Sequence, residues 1–202
     1  MNVFLIAASA VTGYIIGSVS FAIIIGKLMY NTDVRKSGSG SAGATNVLRT
    51  LGLKAAILVF AGDVLKGIAA YLIGYSLGKV AGIAETCGVI AGLGAVMGHN
   101  FPLFFRFHGG KGVAASLALC LMLDWRAALI SLAVFGIITA ITRIVSLSSM
   151  IAITVNAILL ILFFAPHNIL KIISAVIMVI LIIIQHKQNI KRLSEGKESK
   201  IF

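Results

Sequence analysis

The sequence predicts an all-α membrane protein with seven transmembrane helices, its N-terminus outside and its C-terminus cytoplasmic. Three observations predict this. Of 202 residues, 59% are hydrophobic and only 11% charged, which lies outside the composition of soluble domains. The apolar residues come in long runs broken by short polar segments. The cations gather in alternate segments, as the positive-inside rule requires. The length suits one compact bundle, so 1–202 is read as a single polytopic domain.

A spanning helix needs ~20 mostly apolar residues. The first candidate, Val3 to Met29, lacks a basic n-region and runs too long for a signal peptide, so it is read as a retained span. The others run from Leu53 to Leu77, Val80 to Met97, Val113 to Leu123, Ala127 to Thr142, Ser148 to Phe164 and Asn168 to Gln185. The fourth is short, which fits half a helix or one that begins further back, at Gly109. With seven spans, 13 of the 17 Lys and Arg share the side of the C-terminus. Only Lys79, Arg126 and Lys171 fall opposite, and Lys66 lies within a span. The three polar segments, Asn31 to Gly52, Gly98 to Gly112 and His186 to Lys200, then all face the cytoplasm and are placed to share one site. The net charge of +11 fits loops beside anionic lipid better than a nucleic-acid partner. Cys87 and Cys120 lie in apolar runs and read as small hydrophobes.

The first polar segment, "RKSGSGSAGATNVLRTLG", contains a formal G-x-G-x-x-G at Gly38, Gly40 and Gly43. A dinucleotide fingerprint needs a preceding strand, and here the flanks are membrane helices. What remains is local physics. Glycines let backbone amides turn toward an anion, Ser37, Ser39, Ser41 and Thr45 add hydroxyls, and Arg49 adds a fork-shaped cation suited to phosphate. A flexible linker is the plainer alternative.

The second segment, "GHNFPLFFRFHGGKGVAAS", ends like a phosphate-binding P-loop. Phe105 and Gly112, however, stand where that motif needs glycine and a hydroxyl. Gly109, Gly110 and Gly112 free the backbone, Lys111 supplies charge, and the following helix offers N-terminal amides. Arg106 reads as a headgroup anchor. His99 is equally suited to a structural hydrogen bond, and His108 and His167 look incidental. In the tail, His186, Asn189, Arg192 and Glu195 or Glu198 are spaced to line one face of a helix that continues past the membrane, whereas its lysines fit a solvated basic end. Asp63 and Lys66 form an i,i+3 pair within the second span. This is tolerable in lipid only if turned inward, either as a structural pair or in support of a site. No metal-ligand spacing and no serine-nucleophile elbow is present.

Taken in order, "SGSGSAGATNVLR", "DVLKG", "GHNFPLFFRFHGGKGVA", "RIVSLSS" and "HKQNIKRLSEGKE" resemble the bacterial glycerol-3-phosphate acyltransferases that use acyl-phosphate donors, the PlsY type. The resemblance covers essentially the whole chain. It implies a seven-helix, multi-pass protein of the bacterial inner membrane with a cytoplasmic active site and no cofactor or metal. It also implies acyl transfer from acyl phosphate to sn-glycerol 3-phosphate, giving 1-acyl-sn-glycerol 3-phosphate and phosphate, the first acylation of phospholipid synthesis. The expected partners are these two substrates and membrane lipid.

Carried over position by position, the resemblance implies catalytic roles for Ser39, Lys111, His186 and Asn189. It implies phosphate binding by Ser37, Gly38, Gly40, Thr45, Asn46, Arg49, Gly109, Gly110, Gly112 and Arg192, with Asp63, Lys66 and His99 in support. Ser41 replaces the family's usual Asn. The chain has no H-x-x-x-x-D pair, which is consistent with a donor whose phosphate already leaves readily. The proton acceptor is either His186 or a substrate phosphate oxygen, and the resemblance favours the latter. The alternative function is a transporter or flippase for an organic phosphate. Such proteins place their site near the bilayer midplane, often between inverted repeats, and the sequence shows no such repeat.

Overall fold

The structure is a computed structural model that describes residues Met1–Ile201. The described residues are helical and irregular, with no strand. Ten α-helices follow in order: α1 (Asn2–Gly17), α2 (Phe21–Tyr30), α3 (Ala44–Leu51), α4 (Leu53–Lys79), α5 (Ala84–Asn100), α6 (Val113–Leu123), α7 (Trp125–Thr142), α8 (Val145–Leu159), α9 (Ile169–Gln185) and α10 (Lys187–Ser194). They form two compact units, Met1–Leu119 and Cys120–Phe202.

Five helical segments are long and apolar enough to cross a membrane: Asn2–Tyr30, Leu53–Lys79, Ala84–Phe105, Trp125–Thr142 and Val145–Phe164. The pair α9 and α10, bent by 60°, makes a sixth if counted as one span. The remaining expected span, α6, has 11 residues, too few to cross a bilayer alone. The third expected span begins at Ala84 rather than Val80, because Gly82 turns left-handed (φ +69°) and ends the run from α4.

Each unit is inverted relative to a soluble fold. Large apolar side chains such as Leu65, Ile137, Phe163 and Ile184 point outward, while Ala, Gly, Ser and a few charged residues fill the interior. Lipid gives helices no hydrophobic reason to associate, so close backbone packing must hold them. In the first unit α1, α4 and α5 pack on one another. A Cβ on Gly13 or Gly17 of α1 would run into the backbone of Ala91 or Ala95 of α5, and one on Gly98 into that of Tyr14. Hydroxyls inside the helices bond to their own backbone four residues back, for example Ser9 to Leu5 O at 2.7 Å and Ser18 to Tyr14 O at 2.8 Å. This leaves few donors unsatisfied in hydrocarbon.

The second unit packs α7 on α8 and α8 on α9. Asp124 caps α7 through Arg126 N and Ala127 N, and Asn168 caps α9 through Lys171 N. The wide π-helical turn Leu160–Phe164 ends α8 before Pro166.

Candidate active site

In the first unit the two glycine segments fold as loops that bond to each other. Asp33 starts the first by accepting from Arg35 N at 3.1 Å, which caps a short 3-10 turn, Val34–Lys36. The same carboxylate grips the Arg35 guanidinium at 2.8 Å. That hydrogen bond holds the Asp33 carboxyl at about 2, against an ordinary 3.8. Arg35 Nη1 donates to Phe105 O at 3.2 Å, and its guanidinium lies over the Phe105 ring. Ala42 N donates to Gly109 O at 3.2 Å. The first loop is thereby stitched to the second across some 70 residues of sequence.

Asn46 shapes the first loop from within. Its buried side chain accepts from Ser39 N at 2.8 Å and donates to Val34 O at 2.8 Å and to Ser37 O at 3.1 Å. Gly38 lies against it in the left-handed region (φ +62°), where a Cβ would strike Asn46 Oδ1. Asn46, expected among the phosphate contacts, therefore uses its amide inside the loop. Ser37, Gly38, Ser39 and Gly40 are exposed on the loop's outer side, and Ser41 and Thr45 are half-buried. No side chain caps the N-terminus of α3, and Arg49 sits exposed two turns along that helix.

The second loop folds back on the end of α5. Phe105 N and Phe107 N donate to Pro102 O, and Gly110 N donates to His99 O at 3.1 Å. Lys111 follows, half-buried, and Gly112 (φ +82°) leads into α6. Beneath this loop lies the ion pair of the second span. Lys66 Nζ is 2.7 Å from Asp63 Oδ1, 2.6 Å from Val19 O and 3.1 Å from His99 Nδ1. All three side chains are buried. Val19 lies in the break between α1 and α2, so the ammonium satisfies a carbonyl that the interrupted helix leaves open.

The second unit gathers the tail residues around one carboxylate. Glu198 accepts from Ser146 Oγ at 2.9 Å, from Arg192 Nε at 2.7 Å and from Asn189 Nδ2. Burial opposes its ionisation, and the hydrogen bonds from Arg192, Asn189 and Ser146 overcome that, so its carboxyl lies below the ordinary value. His186, at the bend between α9 and α10, is buried. Its Nδ1 lies 2.8 Å from Ile182 O. A carbonyl only accepts, so Nδ1 carries a proton.

The structure thus joins the Ser37–Arg49 and His99–Gly112 groups within one unit and the His186, Asn189 and Arg192 group within the other. The sequence reading passed over Ser146 and placed Glu198 on the polar face of the tail without a role in shaping the site. It also passed over Asn100 and Ser116, whose buried polar atoms have no hydrogen-bond partner among the described residues. Asn100 Oδ1 lies against Gly112. The available signal was a polar residue at a span end, in "GHN" and "RIVSLSS". Among the described residues no group of His, Cys, Asp and Glu is placed to hold a metal.

Residues 7–196, which cover both units, match the family model of glycerol-3-phosphate acyltransferase. The glycerol-3-phosphate acyltransferase of Thermoanaerobacter sp. (strain X514) is 43% identical, over 96% of this chain and 94% of its own. That of Clostridioides difficile (strain 630) is 41% identical, over 100% and 98%. Among solved structures, the glycerol 3-phosphate form of PlsY, an integral membrane glycerol 3-phosphate acyltransferase, superposes with a TM-score of 0.87 at 38% identity, covering 96% of this chain and 94% of PlsY. Its lysophosphatidic acid form gives 0.84 at 37% identity, with the same coverage.

Proposed function

The chain belongs to the glycerol-3-phosphate acyltransferase family and is an integral membrane acyltransferase, and from that premise we propose that it moves an acyl group from acyl phosphate to sn-glycerol 3-phosphate. The products are 1-acyl-sn-glycerol 3-phosphate and inorganic phosphate. The site faces the cytoplasm of the bacterial inner membrane, in a seven-span arrangement with an external N-terminus. The cation distribution supports that orientation. Family membership favours this reading over an organic-phosphate transporter.

The observation that carries the proposal is the pair of glycine loops stitched together by Ala42 and Gly109, with a cation beside each, Arg49 and Lys111. This is a built anion site rather than a tether between spans. Exposed Ser37, Gly38, Ser39 and Gly40 offer amides and hydroxyls to a phosphate, together with Thr45, Gly109, Gly110 and Gly112. Arg49 and Lys111 supply charge, and Asn46 holds the first loop in shape. In the second unit, Glu198 holds Arg192 and Asn189, which with His186 are that unit's substrate-binding groups.

In the reaction, the glycerol hydroxyl oxygen attacks the acyl carbon. The new ester C–O bond forms, the bond from the acyl carbon to the phosphate oxygen breaks, and phosphate leaves with the bonding pair. The hydroxyl proton passes to a phosphate oxygen. Cations that bind the donor also stabilise the charge growing on that phosphate, so positioning and electrostatics suffice without an activated nucleophile. The glycerol 3-phosphate and lysophosphatidic acid forms of PlsY correspond to the acceptor and product of this scheme.

The test is to incubate purified protein with radiolabelled glycerol 3-phosphate and either long-chain acyl phosphate or acyl coenzyme A. Lipid product from acyl phosphate, little from the thioester and no effect of a chelator are expected. Robust turnover of the thioester would reject the proposed donor.

A further inference from the structure

We infer that the buried Asp63–Lys66 pair is a positioning device: it fixes the tautomer of His99, and His99 in turn sets the Gly109–Gly110 turn that carries Lys111. The inference rests on reading that loop as the phosphate site. It gives a function to an ion pair that a membrane span would otherwise be better without.

The argument is one of counting protons. An ammonium has three to donate and no lone pair. Lys66 Nζ hydrogen-bonds to Val19 O at 2.6 Å and meets His99 Nδ1 at 3.1 Å, and it pairs as an ion with Asp63 Oδ1 at 2.7 Å. If Nδ1 carried a hydrogen, two donors would face each other across 3.1 Å. The alternative partner for such a hydrogen, Asp63 Oδ1, is farther from Nδ1, at 3.4 Å, and the contact does not have the geometry of a hydrogen bond. Nδ1 is therefore the acceptor, and the proton of the ring sits on Nε2.

Nε2 is the atom turned toward the loop. It occupies the place where a side chain on Gly110 would be, and Ala42 O of the first loop borders the same place. Gly110 N in turn donates to the backbone oxygen of His99. The ring and main chain of one residue thus hold Gly110 from two sides, immediately before Lys111. His186 differs at the same atom, because its Nδ1 donates to Ile182 O. In each case the partner at Nδ1 decides whether that nitrogen donates or accepts.

The experiment uses full-length protein labelled with ¹⁵N-histidine in nanodiscs of phosphatidylethanolamine and phosphatidylglycerol. Long-range ¹⁵N–¹H correlation reads the tautomer of His99, assigned by its loss in His99→Gln. Removing Lys66 alone strands Asp63 and invites misfolding. The main variant is therefore the double change Asp63→Val with Lys66→Met, which deletes both charges and stays close to the original volumes, a replacement that folded proteins commonly tolerate. Wild type is expected to show a pure Nε2–H ring. The double variant is expected to keep its melting temperature, lose the single tautomer, bind inorganic phosphate more weakly, and lose kcat on the order of 10- to 100-fold, more than KM changes.

A wild-type Nδ1–H ring would overturn the inference. So would a double variant that mixes tautomers yet binds phosphate and turns over normally, or one that unfolds while its surviving fraction has normal kcat. If acyl phosphate proves not to be the donor, wild type yields no product. The proposed reaction then fails, and tautomer and phosphate affinity still decide this inference.

Discussion

Each unit buries one carboxylate beside a cation, and the two do different work. Asp63 lies inside a span, 1% exposed, and meets Lys66 three residues along the same helix. Glu198 lies past the last helix, its side chain 3% exposed, and draws Ser146 of α8 together with Asn189 and Arg192 of α10. Asp63 is set by local helix geometry in a medium where an unpaired charge is intolerable. Glu198 reaches across three segments and is set by how they pack on one another. The same chemical pair thus closes within one helix in one place and gathers three segments in the other.

The comparison breaks first at Asp63. Asp63→Ala should leave Lys66 buried without a counter-charge and cost about 3–5 kcal/mol, read as loss of the folded fraction in detergent by size exclusion and thermal unfolding. If Asp63→Ala is no less stable than Glu198→Gln, the distinction fails.

The next largest effect concerns the loops that the first unit presents. Arg49→Ala and Lys111→Ala should each lose on the order of 2–4 kcal/mol of transition-state binding, measured as kcat/KM. Arg49→Lys should also be impaired, since an ammonium cannot reproduce a two-pronged guanidinium contact. Near-normal turnover with normal expression would return both residues to anchoring roles.

Glu198→Gln should cost about 1–3 kcal/mol, because the amide keeps the shape and removes the charge that three donors address. The pH dependence has a defined sign. Glu198 and Asp33 both have lowered folded-state values, so each stabilises the fold above its ordinary pKa, and the contribution is lost as pH falls through the folded value. For Asp33 the window runs from about 4 to about 2. Asp33→Asn should flatten the stability curve there in thermal unfolding, and Arg35 should no longer hold Phe105 O.

The smallest perturbation tests orientation. Single cysteines at Ser41, His108 and Ser194, without Cys87 and Cys120, should resist impermeant thiol reagents in intact cells and react in inverted vesicles. Labelling of any one from outside would separate the two polar clusters onto different faces.

Composition alone was enough to read a helical membrane protein, because a run of apolar residues has no other way to satisfy its backbone in lipid. The motif residues were legible because glycines, hydroxyls and cations gather in the polar segments between apolar runs. The close helix contact was also written in the chain, as Gly13 and Gly17 facing Ala91 and Ala95, although hydropathy does not register it. Tertiary structure decided the rest. The short helix α6 shows that apolar content does not guarantee a full crossing. Asn46 could be read as a ligand from its place in the motif, but only the fold shows its amide turned into its own loop. Asp63 and Lys66 were visible as a pair, because helical spacing is local, whereas their contact with His99 spans 33 positions and depends on how α4 packs on α5. A sequence fixes which donors and acceptors a chain carries. Which of them meet, and so which nitrogen of an imidazole holds its proton, is set by packing between residues distant in the chain.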